Sequence, residues 1–305
     1  ANLTDCIFSD TDFSGSNLTD AQFNESNIDA YLSFSTKCPD PSTWLSNNCN
    51  NLFMRPCSRT ECPDLEYIAI EGGTFTMGID SSSDVNNGDG SSSPAHNVTV
   101  DNFEMMKANI TVGQLRVCVD SGGCHEGWNN SLPSDSSYDS YSVSLGFEDL
   151  LEFVVFVGGK LPTEAQWEYA AKSKGQDNLY PWGNYQPEFN EIDMYYTNGQ
   201  YSISDITIDS CTRPLGNTTQ GLCDMYGFGE YVMDAWHDNY EGAPVDGSAW
   251  CDGNCYYGWY DYDQNYNPVV RGTADWFIST GLTGVIYRGF GALRGAYGAH
   301  GRLVR

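Results

Sequence analysis

Basic residues are scarce in this sequence. Its 305 residues include only 14 Lys or Arg against 41 Asp or Glu, which gives a formal net charge of -27. A negative field of this size repels phosphate backbones and anionic lipid surfaces. We therefore expect no nucleic-acid partner and no binding to anionic membranes, whereas divalent cations and a soluble surface both suit this charge.

Long apolar runs are lacking as well. The longest lies near Phe153 to Val157, far short of the roughly 20 residues that a membrane-spanning helix needs, so no membrane span is expected. Disorder is not expected either, because only 18% of the residues are charged and 14% are aromatic. The length suffices for one large domain or two smaller ones.

Cysteine, by contrast, is plentiful. The chain has 11 cysteines and only 4 histidines, without repeated Cys-x-x-Cys pairs, a pattern that favours disulfides over zinc sites. Three short-range disulfides are predicted because each pair brackets a turn-rich segment: Cys118 with Cys124, Cys211 with Cys223, and Cys251 with Cys255. Four further cysteines are predicted to form disulfides in an order that the sequence leaves open: Cys38, Cys49, Cys57 and Cys62.

Seven Asn-x-Ser/Thr sequons are predicted N-glycosylation sites. They are Asn2, Asn17, Asn24, Asn97, Asn109, Asn129 and Asn217. Sequons and disulfides together indicate an extracellular glycoprotein, either secreted or held at the cell surface. A cytosolic protein would need neither feature.

A five-residue repeat occupies the N-terminus. Large apolar residues recur at strict intervals of five, each with a small residue two positions earlier: Leu3, Phe8, Phe13, Leu18, Phe23 and Ile28. Neither the helical nor the strand period gives this pattern. It resembles the pentapeptide-repeat family, whose fold is a right-handed square β-helix with four repeats to the coil and both columns pointing inward. The resemblance implies a repeat stub over residues 1–33, with Cys6 as a buried free thiol in the small column.

The stub raises a question of partners. Its repeats complete only about one and a half coils, which leaves an unfinished coil with unpaired backbone groups. In one interpretation the stub packs on the rest of its own chain. In the other it docks head to tail on a second copy of this chain, giving a ring or a filament.

Three helices are predicted beyond a Cys-rich connector over residues 34–65. Thr111 and Gln114 form a capping-box pattern that starts a helix through Val119, and a second helix is predicted from Phe147 to Val157, ending at Gly158. A further Thr-x-x-Gln cap starts a third helix after Thr163. The alternating segment from residue 66 to residue 78 predicts a hairpin leading into a strand.

Two segments, 158-GGKLPTEAQWEYAA-171 and 180-YPWGN-184, carry a specific resemblance. Five further segments match the same family pattern, in the expected order along the chain: residues 72–78, 96–100, 214–216, 221–225 and 271–276. Together they resemble the formylglycine-generating-enzyme, or sulfatase-modifying-factor, domain family over residues 66–305. The resemblance implies an α+β, irregular, C-type-lectin-like fold with little regular sheet. It also implies structural roles for Glu164, Trp167, Arg271 and Trp276, and buried carboxylates anchored by Arg294 and Arg305.

The chain departs from both chemistries of that family. Its copper-dependent enzymes use two cysteines near the C-terminus, whereas residues 281–305 contain none. Its sulfoxide-forming branch uses a histidine motif in an iron-binding helical domain, whereas no histidine precedes Cys62. A third branch consists of non-enzymatic ligand-binding proteins. We therefore assign no catalytic residue and expect a protein that is not an enzyme.

No cofactor is assigned apart from calcium, for which the sequence offers two sets of candidate ligands. The resemblance implies a ligand after the Pro-Trp-Gly element, at Asn190, and one at Glu230, although the segment around Glu230 is shortened here. Asp261, Asp263 and Asn265 have the alternate-oxygen spacing of a calcium loop but lack its glycine and terminal glutamate. The alternative for that second set is a solvated turn.

Aromatic residues crowd one segment rich in Gly, Asp and Asn. The candidate ligand-binding residues are Trp250, Tyr256, Tyr257, Trp259 and Tyr260. Aromatic faces beside short polar groups suit sugars or a protein surface, while the alternative is that they fill the core. The leading hypothesis is a non-catalytic extracellular glycoprotein that self-assembles, displays a ligand-binding surface, or does both. A carbohydrate- or protein-binding module without self-assembly and an oxidase with a relocated active site are the alternatives.

Overall fold

The computed structural model describes eleven parts of the chain. They are residues 8–12, 28–31, 57, 62–80, 90–125, 127, 132–185, 206–251, 268–272, 288–290 and 299–305.

Three α-helices lie in this part of the chain, at the predicted places. Helix α1 is Val112–Asp120, α2 is Phe147–Val157 and α3 is Glu164–Ala171. Both predicted capping boxes are confirmed, since each N-cap threonine and its glutamine exchange side-chain and backbone hydrogen bonds. Helix α2 ends at Gly158, whose φ of 67° places it in the left-handed region that glycine adopts without strain. None of these helices has the length and apolar character that a membrane span requires.

The N-terminal repeat forms a parallel strand pair. Strand β1, Phe8–Asp12, pairs with β2, Ile28–Tyr31, and Phe8 lies opposite Ile28. These two residues are twenty positions apart, which is the length of one coil built from four five-residue repeats. The Phe8–Ile28 pair therefore agrees with the predicted β-helix, whereas the register shifts by one residue at the pairs Thr11–Ala30 and Asp12–Tyr31.

The predicted hairpin after residue 66 is wrong. Strand β3, Tyr67–Ile70, pairs with β6, Phe103–Met106. Strand β4, Gly73–Met77, pairs with β5, His96–Val100. Alternation correctly predicted the strands, but it carries no information on which distant segment supplies their hydrogen-bond partners.

The remaining strands form two more small sheets. Strand β7, Tyr141–Val143, pairs with β8, Ile206–Asp209. Strand β9, Glu230–Ala235, pairs with β10, Pro268–Arg271, which in turn pairs with β11, Arg288–Phe290. Short sheets joined by irregular segments match the expected α+β, C-type-lectin-like class.

The C-terminal segment runs between two hydrophobic clusters. One cluster surrounds α1 and α2 and includes Leu115, Phe153 and Leu303. The other surrounds α3 and includes Trp167 and Val304. Consecutive residues near the C-terminus thus belong to different clusters, so this segment joins the two parts of the core.

Disulfides agree with the local predictions. Cys118–Cys124 and Cys211–Cys223 are confirmed, and Cys57–Cys62 resolves one of the pairings left open. Cys251 is disulfide-bonded, and its predicted partner Cys255 lies outside the described residues. The same is true of Cys6, Cys38 and Cys49.

The structure separates the predicted glycosylation sites. Asn97 is exposed on β5 and Asn217 is half-buried. Asn109 is wholly buried, and its Oδ1 accepts a hydrogen bond from Arg302 Nη2 at 3.2 Å. The prediction of a glycan on Asn109 is therefore wrong, because an attached sugar requires an exposed amide. The other four sequons, Asn2, Asn17, Asn24 and Asn129, lie outside the described residues.

Candidate functional site

A buried ionic network lies along one face of α3. Glu164, Glu168 and Lys172 are spaced four residues apart, so the helix places them in one row. Arg271 Nη1 lies 2.8 Å from Glu164 Oε1, and Arg271 Nη2 lies 2.7 Å from Glu168 Oε2. Lys172 Nζ lies 2.8 Å from Glu168 Oε1, and Arg288 Nε lies 2.8 Å from Glu164 Oε1. We call these five residues the buried ionic network.

The network keeps its carboxylates ionised. Burial acts to raise the pKa of Glu168, but the charges of Lys172 and Arg271 outweigh burial and lower that pKa to about 2. Burial likewise opposes ionisation of Glu164, and Arg288 and Arg271 still lower its pKa. Carboxylates fixed in this state neither donate nor take up protons near neutral pH. This supports the structural roles expected for Glu164 and Arg271.

A second buried pair overturns two predictions. Both Glu230 oxygens accept hydrogen bonds from Arg302 at 2.7 Å, and Oε2 also accepts one from Trp167 Nε1 at 2.8 Å. The wholly buried carboxylate of Glu230 therefore does not serve as a calcium ligand. Arg302 anchors it in place of Arg305, which pairs with the partly exposed Glu104. The sequence shows both arginines but not which of them faces inward.

Three side chains beside the buried ionic network form what we call the aromatic face: Trp236, His237 and Trp250. All three are half-buried. The rings of His237 and Trp250 stack, with centroids 3.6 Å apart and planes inclined by 3°. The Arg288 guanidinium lies over the Trp236 ring, 4.7 Å from its centroid. Of the five predicted ligand-binding residues only Trp250 is described, and Tyr256, Tyr257, Trp259 and Tyr260 lie outside the described residues.

A cleft of about 490 Å³ opens beside the aromatic face. Its lining residues are Gly90, Ser93, Pro94, Asp238, Asn239 and Glu241. Trp236 Nε1 donates to Asp238 Oδ1 at 3.3 Å, which links the aromatic face to the cleft. Arg288 Nη1 donates to the backbone oxygens of Ser91 and His237, both at 2.8 Å. The buried ionic network therefore positions the two segments between which the cleft lies.

The cleft was not predicted from the sequence, although a signal for it was present. The polar run 238-DNYE-241 directly follows the Trp236–His237 pair, and three of its four residues are exposed. Only the structure brings this run against residues 90–94.

Clusters of metal-ligating side chains are few among the described residues. All seven cysteines of that part are disulfide-bonded: Cys57, Cys62, Cys118, Cys124, Cys211, Cys223 and Cys251. One close group combines Asp224 with the bonded Cys211 and Cys223. The donor set of these residues therefore does not fit a thiolate-bound copper ion. The predicted calcium ligands Asn190, Asp261, Asp263 and Asn265 lie outside the described residues.

Curated relatives match part of the chain at low identity. The formylglycine-generating enzyme of Mus musculus is 25% identical over 187 residues, covering 46% of this chain and 48% of that protein. The enzyme of Bos taurus is 24% identical over 223 residues, covering 57% of each. The hercynine oxygenase of Mycolicibacterium smegmatis is 24% identical over 151 residues, covering 39% of this chain and 35% of that protein. The chain thus spans about half the length of the two formylglycine-generating enzymes.

Solved structures share the fold. PvdO from Pseudomonas aeruginosa has a TM-score of 0.59 at 21% identity, with 82% of this chain and 96% of that chain covered. Treponema denticola variable protein 1 has a TM-score of 0.54 at 14% identity, with 78% and 94% covered. The pentapeptide-repeat family model matches residues 1–29, and the model of the sulfatase-modifying factor enzyme 1-like domain matches residues 54–285. The chain therefore belongs to the sulfatase-modifying factor enzyme 1-like domain family.

Proposed function

We propose that this protein is a non-catalytic extracellular glycoprotein that displays a ligand-binding surface and associates with copies of itself. The observation that carries the non-catalytic part concerns thiols. Every cysteine of the described residues is in a disulfide, and residues 281–305 contain no cysteine. The cysteine pair near the C-terminus that the family resemblance implies for copper-dependent activity therefore has no counterpart in these residues. The disulfides and the exposed sequon at Asn97 support an oxidising, extracellular setting.

The ligand surface combines the aromatic face with the cleft. Half-buried rings offer flat apolar area for stacking, and the exposed Asp238, Asn239 and Glu241 offer hydrogen-bond acceptors beside it. The two carboxylates repel sulfated and uronic-acid sugars. Neutral or amino sugars and basic segments of a protein are therefore the expected ligands.

A binding screen with matched tryptophan variants tests this proposal. Trp250→Ala removes a ring of the aromatic face, whereas Trp182→Ala removes a half-buried indole that stacks on Tyr180 elsewhere. On a glycan array and against a panel of basic peptides, we expect ligands of the wild type to be lost by the first variant and kept by the second. Equal binding by both variants would remove the aromatic face from the proposal.

Self-association is proposed to use the repeat stub. The subunits carry a net charge of -27, so like-charge repulsion must be overcome for any contact to form. We therefore expect association to strengthen between about 10 mM and about 500 mM salt, since the screening length falls over this range, and to weaken on chelation of divalent ions. Sedimentation and electron microscopy of the intact chain measure this. A protein that stays monomeric at high concentration and high salt would refute the proposed self-association.

An oxidase is the second candidate, favoured by the two formylglycine-generating enzymes and the hercynine oxygenase among the relatives. Incubation with copper and a cysteine-containing sulfatase peptide decides between the two. We expect the peptide mass to stay unchanged, and conversion of its cysteine would overturn the non-catalytic proposal.

A further inference from the structure

We infer that Asp234 is a positioning residue that links the Trp250 segment to helix α3 and weakens this link when its carboxyl group takes up a proton. Asp234 lies on β9 and is only 4% exposed. Its Oδ2 accepts a hydrogen bond from Glu164 N at 2.7 Å, and its Oδ1 accepts one from Trp250 N at 2.8 Å. One carboxyl group therefore joins the first turn of α3 to the segment that carries Trp250.

The surroundings of Asp234 do not fix its charge. The charged groups that face it are Glu164 on α3 and Arg288 on β11, and Arg288 already makes two bonds to Glu164. Among the described residues no cation forms an ion pair with Asp234. Burial and the negative charge of Glu164 raise the pKa of Asp234 to about 7. Glu168, by contrast, forms ion pairs with Lys172 and Arg271, which hold it ionised.

Trp250 has two bonds to β9, and only one of them can titrate. Its N–H donates to the carboxyl of Asp234, while its backbone oxygen accepts from Ala235 N at 3.0 Å. Hydrogen bonds to an ionised carboxylate are about twice as strong as bonds to a neutral group. Protonation therefore weakens the first bond and leaves the second in place. His237, whose ring stacks on the Trp250 indole, is a further titratable group beside Trp250.

The inference concerns the Trp250 segment itself and stands whether or not the aromatic face binds a ligand. If that face does bind one, as proposed above, its geometry becomes dependent on pH near neutrality. This dependence arises because the Asp234 carboxyl group bonds both to the N-terminus of α3 and to the backbone of Trp250.

Hydrogen exchange of two neighbouring amides tests the inference. The protection of the Trp250 amide is measured relative to that of the Ala235 amide between about pH 5.5 and about pH 8.5, corrected for intrinsic exchange, across the pKa of about 7. We expect the ratio to rise about tenfold on raising the pH. Asp234→Asn should abolish the rise. The exposed control Asp246→Asn and the neighbour variant His237→Gln should both keep it.

Three results would overturn the inference. They are a ratio that stays constant in the wild type, a rise that persists in Asp234→Asn, and a rise that disappears in His237→Gln. If Asp234→Asn does not fold, the carboxyl carbon signal of Asp234 in the wild type decides the matter. A shared midpoint with the amide ratio supports the inference, and separate midpoints contradict it.

Discussion

Replacing Arg302 by methionine isolates the contribution of the buried pair at the C-terminus. The variant keeps the length and apolar stem of the side chain but leaves the Glu230 carboxylate without its cation. Both side chains of the pair are 0% exposed, so water cannot take the place of the guanidinium. Arg302 also donates to Asn109 Oδ1 and to the backbone oxygen of Cys223, which lose their donor. Removing one partner of a buried pair costs about 3–5 kcal/mol, and we expect a loss in that range.

Arg305→Met is the matched control, three residues away in the same segment. Arg305 pairs with Glu104 at 2.6 Å, but the two side chains are 59% and 41% exposed. Exposed pairs contribute between 0 and about 1 kcal/mol because solvent screens them. The control should therefore lose less than about 1 kcal/mol of the free energy of unfolding, even though its ion-pair distance is as short as those of the buried pair.

Denaturant unfolding with the disulfides intact measures both variants. The double variant Arg302→Met with Glu230→Gln should recover part of the loss, because it removes the unpaired charge and keeps an acceptor for Trp167 Nε1. Equal losses for Arg302→Met and Arg305→Met would refute the reasoning. A double variant less stable than Arg302→Met alone would show that the unpaired carboxylate is not the source of the loss.

Two further predictions follow from buried polar groups. Burial and the charge of Glu164 raise the folded-state pKa of Asp234 to about 7, while an unfolded aspartate has a pKa of about 3.9. The resulting stability is fully present below about pH 4 and is lost as the pH rises through about 7. Asp234→Asn should therefore flatten the wild-type decline between about pH 4 and about pH 7, and an unchanged decline in denaturation midpoints would contradict this. Glycopeptide mass spectrometry of protein from a glycosylating host should find sugar on the exposed Asn97 and none on the buried Asn109. A folded protein with sugar on Asn109 would contradict the described packing.

Helix boundaries were predictable because their signals are local. The capping boxes at Thr111 and Thr163 involve residues only three positions apart, and Gly158 ends α2 through its own backbone conformation. The disulfides Cys118–Cys124 and Cys211–Cys223 were predictable for the same reason, because each closes a short loop. The five-residue period likewise implies a parallel pairing of residues twenty positions apart, which Phe8 and Ile28 show before the register shifts by one residue.

Partners distant in the chain could not be read in this way. Strand β4 pairs with β5 across a long connection instead of with its neighbour β3. The candidate site has the same limitation, since the sequence singled out Trp250 but not the stacking of its indole on His237 or the cleft beside Asp238.

The sequence by itself determined the family, the helices, the local disulfides and the repeat, because each depends on residue types at short, fixed spacings. Only the tertiary structure decided which charged side chains are buried and which partners they pair with. The sequence made Glu230 a candidate calcium ligand, but in the structure its carboxylate pairs with Arg302. The sequence likewise made Asn109 a candidate glycosylation site, but its side chain is buried against the same arginine. A buried carboxylate requires a specific cation from a distant segment. The segment that supplies this cation is determined by the packing of the C-terminal residues between the two hydrophobic clusters.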